Sequence, residues 1–345
     1  MQPVTIGIDV GKNLFHVHGV DHRGKRCLRK KLTRGQLPEF IAQLPSCLIG
    51  MEACSGTHYW AKRFRALGHE VRLMSPQFVK PYVKSNKNDF LDAEAICEAV
   101  TRPNMRFVPI KSDEQLELQQ LHRGRSLAVA QRTALVNQVR GFLHEYGVVL
   151  PQGIHQVREQ LPFILEDAEL PITDRARGLL ARLWHELQHA DEHIYYFDRT
   201  LALLAQKEPA ARRLQSIPGI GPLAATALIA TVGNAENFSN GRELAAWLGL
   251  VPRQHTTGGR TRLLGISKRG DTYLRTLLIH GARAALRFVE RKCDSRSRWA
   301  ANLKARRGQN VASVALANKN ARTAWVMLTR KAVSYTHLRA HETRR

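Results

Sequence analysis

Four carboxylates and one arginine-rich stretch with hydroxyls carry the chemistry visible in this sequence. Asp9 sits inside an apolar run, Gly7-Ile8-Asp9-Val10-Gly11. An acid there is costly unless it is ionised against a partner or a metal. Glu52 closes a second short apolar run, Leu48-Ile49-Gly50-Met51-Glu52. Asp89 and Asp92 stand three apart at the start of a helical stretch, so both lie on one helix face. Four such carboxylates can hold two divalent cations roughly 4 Å apart, the clamp used in phosphoryl transfer. Mg²⁺ is the expected cofactor, because a hard cation suits all-oxygen ligands. Singly, Asp89 also reads as an ordinary helix N-terminal acid and Glu52 as a strand-end surface residue. The order of strand acid, strand-end acid and helical pair favours the metal reading.

The second cluster runs from Leu250 to Asp271 and gathers Arg253, His255, Thr256, Thr257, Arg260, Arg262, Lys268 and Arg269 around Gly258 and Gly259. A glycine pair lets backbone approach a ligand closely. Hydroxyls beside glycine and flanked by arginine suit phosphate binding or attack on phosphorus. On composition alone, a flexible basic phosphate-contacting loop is the plainer reading. Upstream, Ile217-Pro218-Gly219-Ile220-Gly221 between two helical stretches looks like a helix–hairpin–helix. Gly219 and Gly221 there would let N–H groups meet a phosphate at a helix N-terminus. Arg253, Arg260, Lys268 and Arg269 complete the expected nucleic-acid contacts, and Ser267 is expected as a structural or phosphate contact.

Three kinds of element must position these groups. In the first hundred residues, strand signals at Val4–Val10, Phe15–Val20 and Lys25–Leu32 precede a helix at Gln36–Leu44. A strand at Cys47–Glu52, a helix at Thr57–Leu67, a strand at Glu70–Met74 and a helix at Asn88–Val100 follow. Hairpin strands first, then strands alternating with helices, predict an α/β domain with a mixed sheet. In the middle, Leu180, Leu187, Ile194 and Leu201 fall seven apart, and so do Leu183, Ala190, Phe197 and Leu204. Leu121, Ala128, Leu135 and Phe142 form a weaker stripe, with a Pro- and Gly-containing break from Gly147 to Pro171. That pattern predicts either a helical hairpin or an intermolecular coiled coil. The last third is expected to be mostly helical and basic.

Charge divides the chain along the same lines. The 345 residues carry a formal net charge of +24. Residues 1–110 hold 17 basic against 9 acidic side chains, residues 111–215 hold 13 against 14, and residues 216–345 hold 23 against 6. Both ends therefore read as nucleic-acid surfaces and the middle as structural. No apolar run reaches membrane-spanning length, so no membrane partner is expected. Five cysteines without a C-x-x-C motif suggest neither a disulfide framework nor a zinc site. With no signal-peptide pattern at the start, the expected location is the cytoplasm. The expected regions are 1–110, 111–210 and 211–333. The tail 334–345 (SYTHLRAHETRR) reads as translated cloning or sequencing adapter.

These residues resemble those of the DEDD transposases of the insertion-sequence family one hundred and ten, the bridge-RNA-guided recombinases, and within them the eleven-eleven subgroup. The resemblance runs from about Ile6 to Leu328 and rests on two motif sets in the family's order. Asp9, Glu52, Asp89 and Asp92 match its four acids. Ile217–Gly221, Ala245–Leu250 and Gly265-Ile266-Ser267-Lys268-Arg269-Gly270 match its second domain. The resemblance implies a RuvC-like, RNase H-type N-terminal domain, a helical coiled-coil middle and a basic C-terminal transposase domain. It further implies Mg²⁺, donor and target DNA, a structured non-coding guide (bridge) RNA, and a homo-oligomer such as a dimer of dimers. The family's nucleophile is a serine just before a glycine; the matching position here is Thr257. Its extra methyl restricts χ1 and crowds the oxygen. Three outcomes stay open: Thr257 serves, Thr256 substitutes, or this copy is weak or inactive. A Holliday-junction-type nuclease, needing the acids but no hydroxyl, and a non-catalytic nucleic-acid-binding protein are the alternatives.

Overall fold

The computed structural model describes residues 2–84 and 88–330 and divides the chain into two compact units, Met1–Ser112 and Asp113–Arg345. The tail 334–345 lies outside the described residues.

In the first unit, β1 (Thr5–Val10), β2 (Leu14–Val20) and β3 (Arg26–Thr33) form an antiparallel meander. The β2–β3 turn is set by Asp21, whose Oδ1 accepts N–H bonds from Arg23 and Lys25, each 2.9 Å. Helix α1 (Gln36–Ala42) then carries the chain to β4 (Leu48–Glu52), and α2 (Thr57–Ala66) carries it to β5 (Glu70–Met74). Both are crossovers of the kind parallel pairing requires, and β4 pairs in parallel with β1 and with β5. After α3 (Pro76–Val79) and a 3₁₀ turn, α4 (Asp89–Val100) is capped by Asn88 and leads to the short antiparallel edge strand β6 (Phe107–Val108). The sheet order is β3-β2-β1-β4-β5-β6. The expected mixed α/β sheet is present, with strand limits within two residues of those read from the sequence. The edge strand β6 was not expected, being too short for periodicity to register.

Side chains alternate across the sheet. Ile6, Ile8, Ile49 and Met51 are fully buried on one face in a core with Trp60 and Phe64 of α2. Gly7, Asp9, Gly50 and Glu52 therefore belong to the other face, beneath α4. The helix approaches closely: a Cβ on Gly7 would stand 2.2 Å from the Ala93 carbonyl oxygen and 2.4 Å from the Cys97 nitrogen. Gly7→Ala must push α4 away. It is expected to destabilise the unit by roughly 1–3 kcal/mol, the usual cost of overpacking, and to displace the acids that α4 carries. A lowered midpoint in thermal unfolding, accompanied by lost activity, checks this.

The second unit opens with α5 (Asp113–Glu145), α6 (Ile154–Glu166) and α7 (Asp174–Lys207). Arg125 pairs with Asp198 and Arg132 with Asp191, while Val139 and Leu143 share a core with Leu180 and Leu183. Partners of rising number on α5 have falling number on α7, so the two helices run antiparallel. The heptad seam is thus occupied within the chain over Leu180, Leu183 and Leu187. The stretch read as a break, Gly147 to Pro171, instead contains α6. Its Val157, Leu161 and Ile164 are buried at helical spacing, and Pro162 is tolerated inside it.

The chain continues through α8 (Pro209–Gln215), α9 (Pro222–Val232) and α10 (Gly241–Trp247) to a two-stranded hairpin, β7 (Pro252–Thr257) and β8 (Arg260–Ile266). It ends in α11 (Thr272–Leu286) and α12 (Ser295–Thr329), the latter kinked at Gly308. An alanine- and leucine-rich core joins α8 to α12.

Candidate functional site

Three of the four acids converge in the first unit. Register places Gly7 beside Gly50 and Ile8 beside Met51, so Asp9 and Glu52 end adjacent parallel strands on the same face. Helix α4 brings Asp92 to them from above. The Glu52 carboxyl has its pKa raised, first by burial and then by the Asp9 and Asp92 carboxylates. The Cys54 thiol is raised too, by burial and then by Glu52 and Asp9. Asp89 lies exposed on the first turn of α4 and faces His16, whose Nδ1 is 3.7 Å from its Oδ2. His16 is also the cross-strand partner of Asp9 and packs edge-on against Phe90. Crevices at the carboxyl ends of parallel strands are the usual binding place in α/β sheets. Among the described residues, no three His, Cys, Asp or Glu form a ready-made metal cluster. The donor chemistry nonetheless fits a hard divalent cation: the ligands are oxygens, and their mutual repulsion at Glu52 is what a positive charge would relieve.

In the second unit, the stretch that composition left open as a flexible loop is the β7–β8 hairpin. Thr257 pairs with Arg260 across a two-residue turn, and Gly258 and Gly259 have φ of 55° and 75°. Two consecutive positive φ values are what a type I′ hairpin turn demands, so the glycine pair shapes the tip. His255 pairs with Arg262, Thr256 with Thr261 and Gln254 with Leu263. Arg253, His255, Thr257, Arg260 and Arg262 thus share one face. Thr256 is on the other, within 3.2 Å of the Thr261 hydroxyl. A register shift near Pro252 then lets Pro252, Leu263 and Ile266 line an apolar groove of about 1690 Å³ with Trp299 and Val311. That groove lies off the Thr257 face.

Gly219 takes a φ of 93° in the turn between α8 and α9, and this turn rests on α11: a Cβ on Gly281 would meet the Gly219 carbonyl oxygen at 1.9 Å. Asn320 donates to the Pro218 carbonyl at 3.0 Å. Gly221 caps α9 with open space around it.

A family model described as "Transposase IS116/IS110/IS902 family" matches residues 211–298, and a second transposase model, of the DEDD type for IS110, matches residues 6–148. The chain is 50% identical to a probable family 20 transposase of Pseudomonas aeruginosa, over 94% of this chain and 97% of the relative. It is 46% identical to the transposase for insertion sequence element IS1111A of Coxiella burnetii, over 94% and 90%. The chain belongs to the IS110/IS116/IS902 family of insertion-sequence transposases. The transposase for insertion sequence element IS1328 of Yersinia enterocolitica is 43% identical, over 95% and 97%.

Two supporting residues of this transposase escaped sequence reasoning. His16 is one; only its placement opposite Asp9 in a hairpin pair would have pointed to it. Arg275 on α11 is the other. It is buried, and its guanidinium donates to the carbonyls of Leu248 (3.1 Å) and Arg269 (2.9 Å), which flank the two ends of the hairpin. Lys268, at a φ of 54°, donates its N–H to the Gly249 carbonyl across the same base. Ser267 donates its N–H to the Val251 carbonyl at 2.8 Å. Arg275→Met would fill the space but strand two carbonyls, at a cost of about 1–3 kcal/mol. Faster amide exchange across 252–266, with α9 unchanged, is the expected reading.

Proposed function

We propose that this transposase cuts and rejoins DNA strands through a covalent protein–DNA intermediate, guided by a structured RNA. The observation that carries the reading is the convergence of Asp9, Glu52 and Asp92 at the ends of β1 and β4 beneath α4. The meander followed by parallel strands supports a RuvC-like, RNase H-type domain over 1–110. The α5–α7 pair supports a helical arm over 111–210, and the basic hairpin supports a DNA-handling domain over 211–333. Asp9, Glu52, Asp89 and Asp92 would hold Mg²⁺, which when bound supplies charge neutralisation at a scissile phosphate.

The protein's own groups do the rest. The Thr257 oxygen attacks phosphorus, and the bond to the 3′-oxygen breaks, leaving a phosphothreonine. The freed 3′-hydroxyl of the partner strand later attacks that linkage and releases Thr257. Bond energy is retained through the linkage, so no nucleotide cofactor is needed. Arg253, Arg260 and Lys268 stabilise charge developing on the phosphate, and Arg269, Gly219 and Gly221 hold flanking backbone. The carboxylates and Thr257 come from different subunits of an assembly that grips donor and target DNA together.

The test supplies the full chain with labelled duplex carrying the element's own ends, RNA transcribed from the DNA beside the reading frame, and Mg²⁺. A detergent-stable protein–DNA adduct, absent in EDTA and mapping by mass spectrometry to Thr257, is expected. Cleavage that leaves free 5′-phosphate and no adduct would establish a nuclease instead.

A further inference from the structure

A threonine hydroxyl must lose its proton as it attacks, and the hairpin places an acceptor beside it. We propose that His255 is the general base for Thr257 and returns the proton when the threonine departs. This rests on Thr257 being the nucleophile.

Three observations carry the assignment. His255 and Thr257 are two apart on β7 and share a face, with His255 Nδ1 3.5 Å from Thr257 Oγ1. Contacts of this kind tighten when substrate binds. The hairpin from Pro252 to Ile266 contains no acid, lysine, tyrosine or cysteine. Its other basic side chains, Arg253, Arg260 and Arg262, are guanidiniums that donate hydrogen bonds and offer no acceptor, so His255 is the hairpin's one side chain with a ring nitrogen able to accept a proton. Finally, His255 is exposed on an exposed strand, directly opposite Arg262. It contributes nothing to a core, and its pairing with a cation gives the fold no ion pair. Thr256 has no such neighbour; it faces away, toward Gln254 and Thr261.

The step balances. With the imidazole proton on Nε2, Nδ1 takes the Thr257 proton as the oxygen–phosphorus bond forms. The bond to the 3′-oxygen breaks, and that oxygen takes a proton from solvent. In rejoining, a 3′-hydroxyl gives its proton to solvent and attacks the phosphothreonine. The departing Thr257 oxygen then recovers its proton from the imidazolium. Arg260, directly across from Thr257, and Arg262 are positioned to neutralise the phosphate without competing for the proton.

The experiment measures single-turnover adduct formation by the full chain on the labelled duplex, with the flanking transcript and Mg²⁺. His255→Ala is expected to slow it about 100-fold or more, within the usual range for general-base catalysis. DNA affinity and the circular dichroism spectrum should be unchanged. Millimolar imidazole should restore part of the rate, because the side chain lies open to solvent. In the Thr257→Cys background the penalty for losing His255 should shrink, since a thiol ionises far more readily than a hydroxyl. An unchanged rate in His255→Ala would overturn the proposal. So would a loss that imidazole leaves untouched and His255→Gln fully repairs, which would make the residue a positioning group. A Thr257→Ala chain that still forms the adduct would sink the nucleophile assignment instead, so the two failures are told apart.

Discussion

Thr257→Ala is expected to lower covalent adduct formation by at least about a thousandfold, the scale on which removing a nucleophile acts. Thr257→Ser should keep the adduct, at a rate equal to the parent's or higher. The serine lacks the methyl that narrows χ1, so its oxygen reaches an in-line position more freely. Thr256→Ala should stay near the parental rate. The two hydroxyls are chemically alike, but strand alternation separates them. Thr257 shares a face with His255, Arg260 and Arg262, whereas Thr256 is engaged with Thr261 on the opposite side. The sequence left both hydroxyls open; the register puts them on opposite faces of the hairpin. Quantifying adduct on denaturing gels for the three variants is sufficient. A strong loss in Thr256→Ala together with a mild one in Thr257→Ala would reverse the assignment.

Much of the first unit was legible because its signals are local. The apolar alternation of β1, β2 and β4 fixes which residues share a face, and Asp9 and Glu52 stand out as acids on otherwise apolar strands. Their adjacency was not legible, since it depends on the parallel register of strands about forty residues apart. The hairpin is the opposite case. Thr257-Gly258-Gly259-Arg260 is a two-residue turn signal, yet polar residues on both sides of the strands hid the alternation that normally identifies β-structure. His16 and Arg275 were invisible for a third reason. Each meets a partner distant in sequence, the Asp89 carboxylate in one case and the carbonyls at the hairpin base in the other. The helix α6 was masked by its flanking Gly153 and internal Pro162, which read as breakers although three buried apolar side chains at helical spacing hold it in place.

Glu52→Gln should separate stability from activity. Burial, with Asp9 and Asp92 adding to it, raises the proton affinity of Glu52 above that of the unfolded chain. The folded protein therefore binds more protons than the unfolded one between the ordinary carboxylate range and the raised value. In the absence of divalent cation, stability falls as pH rises through that window and is regained as pH falls. A glutamine carries no charge to desolvate and no repulsion with Asp9 or Asp92. The variant should unfold at a higher temperature than the parent at neutral pH in EDTA, and its midpoint should be flatter across the acidic window. Adding Mg²⁺ should raise the parent's midpoint through binding to the native state, and raise the variant's less. Strand exchange should nonetheless fall by about 100-fold or more, as when one electrostatic stabiliser is removed from a transition state. A carboxylate kept merely for folding would give the reverse: a lower midpoint and unchanged exchange. Burial of Glu52 beside Asp9 and Asp92 weighs against the fold when no cation is present, the balance expected of a carboxylate kept for function.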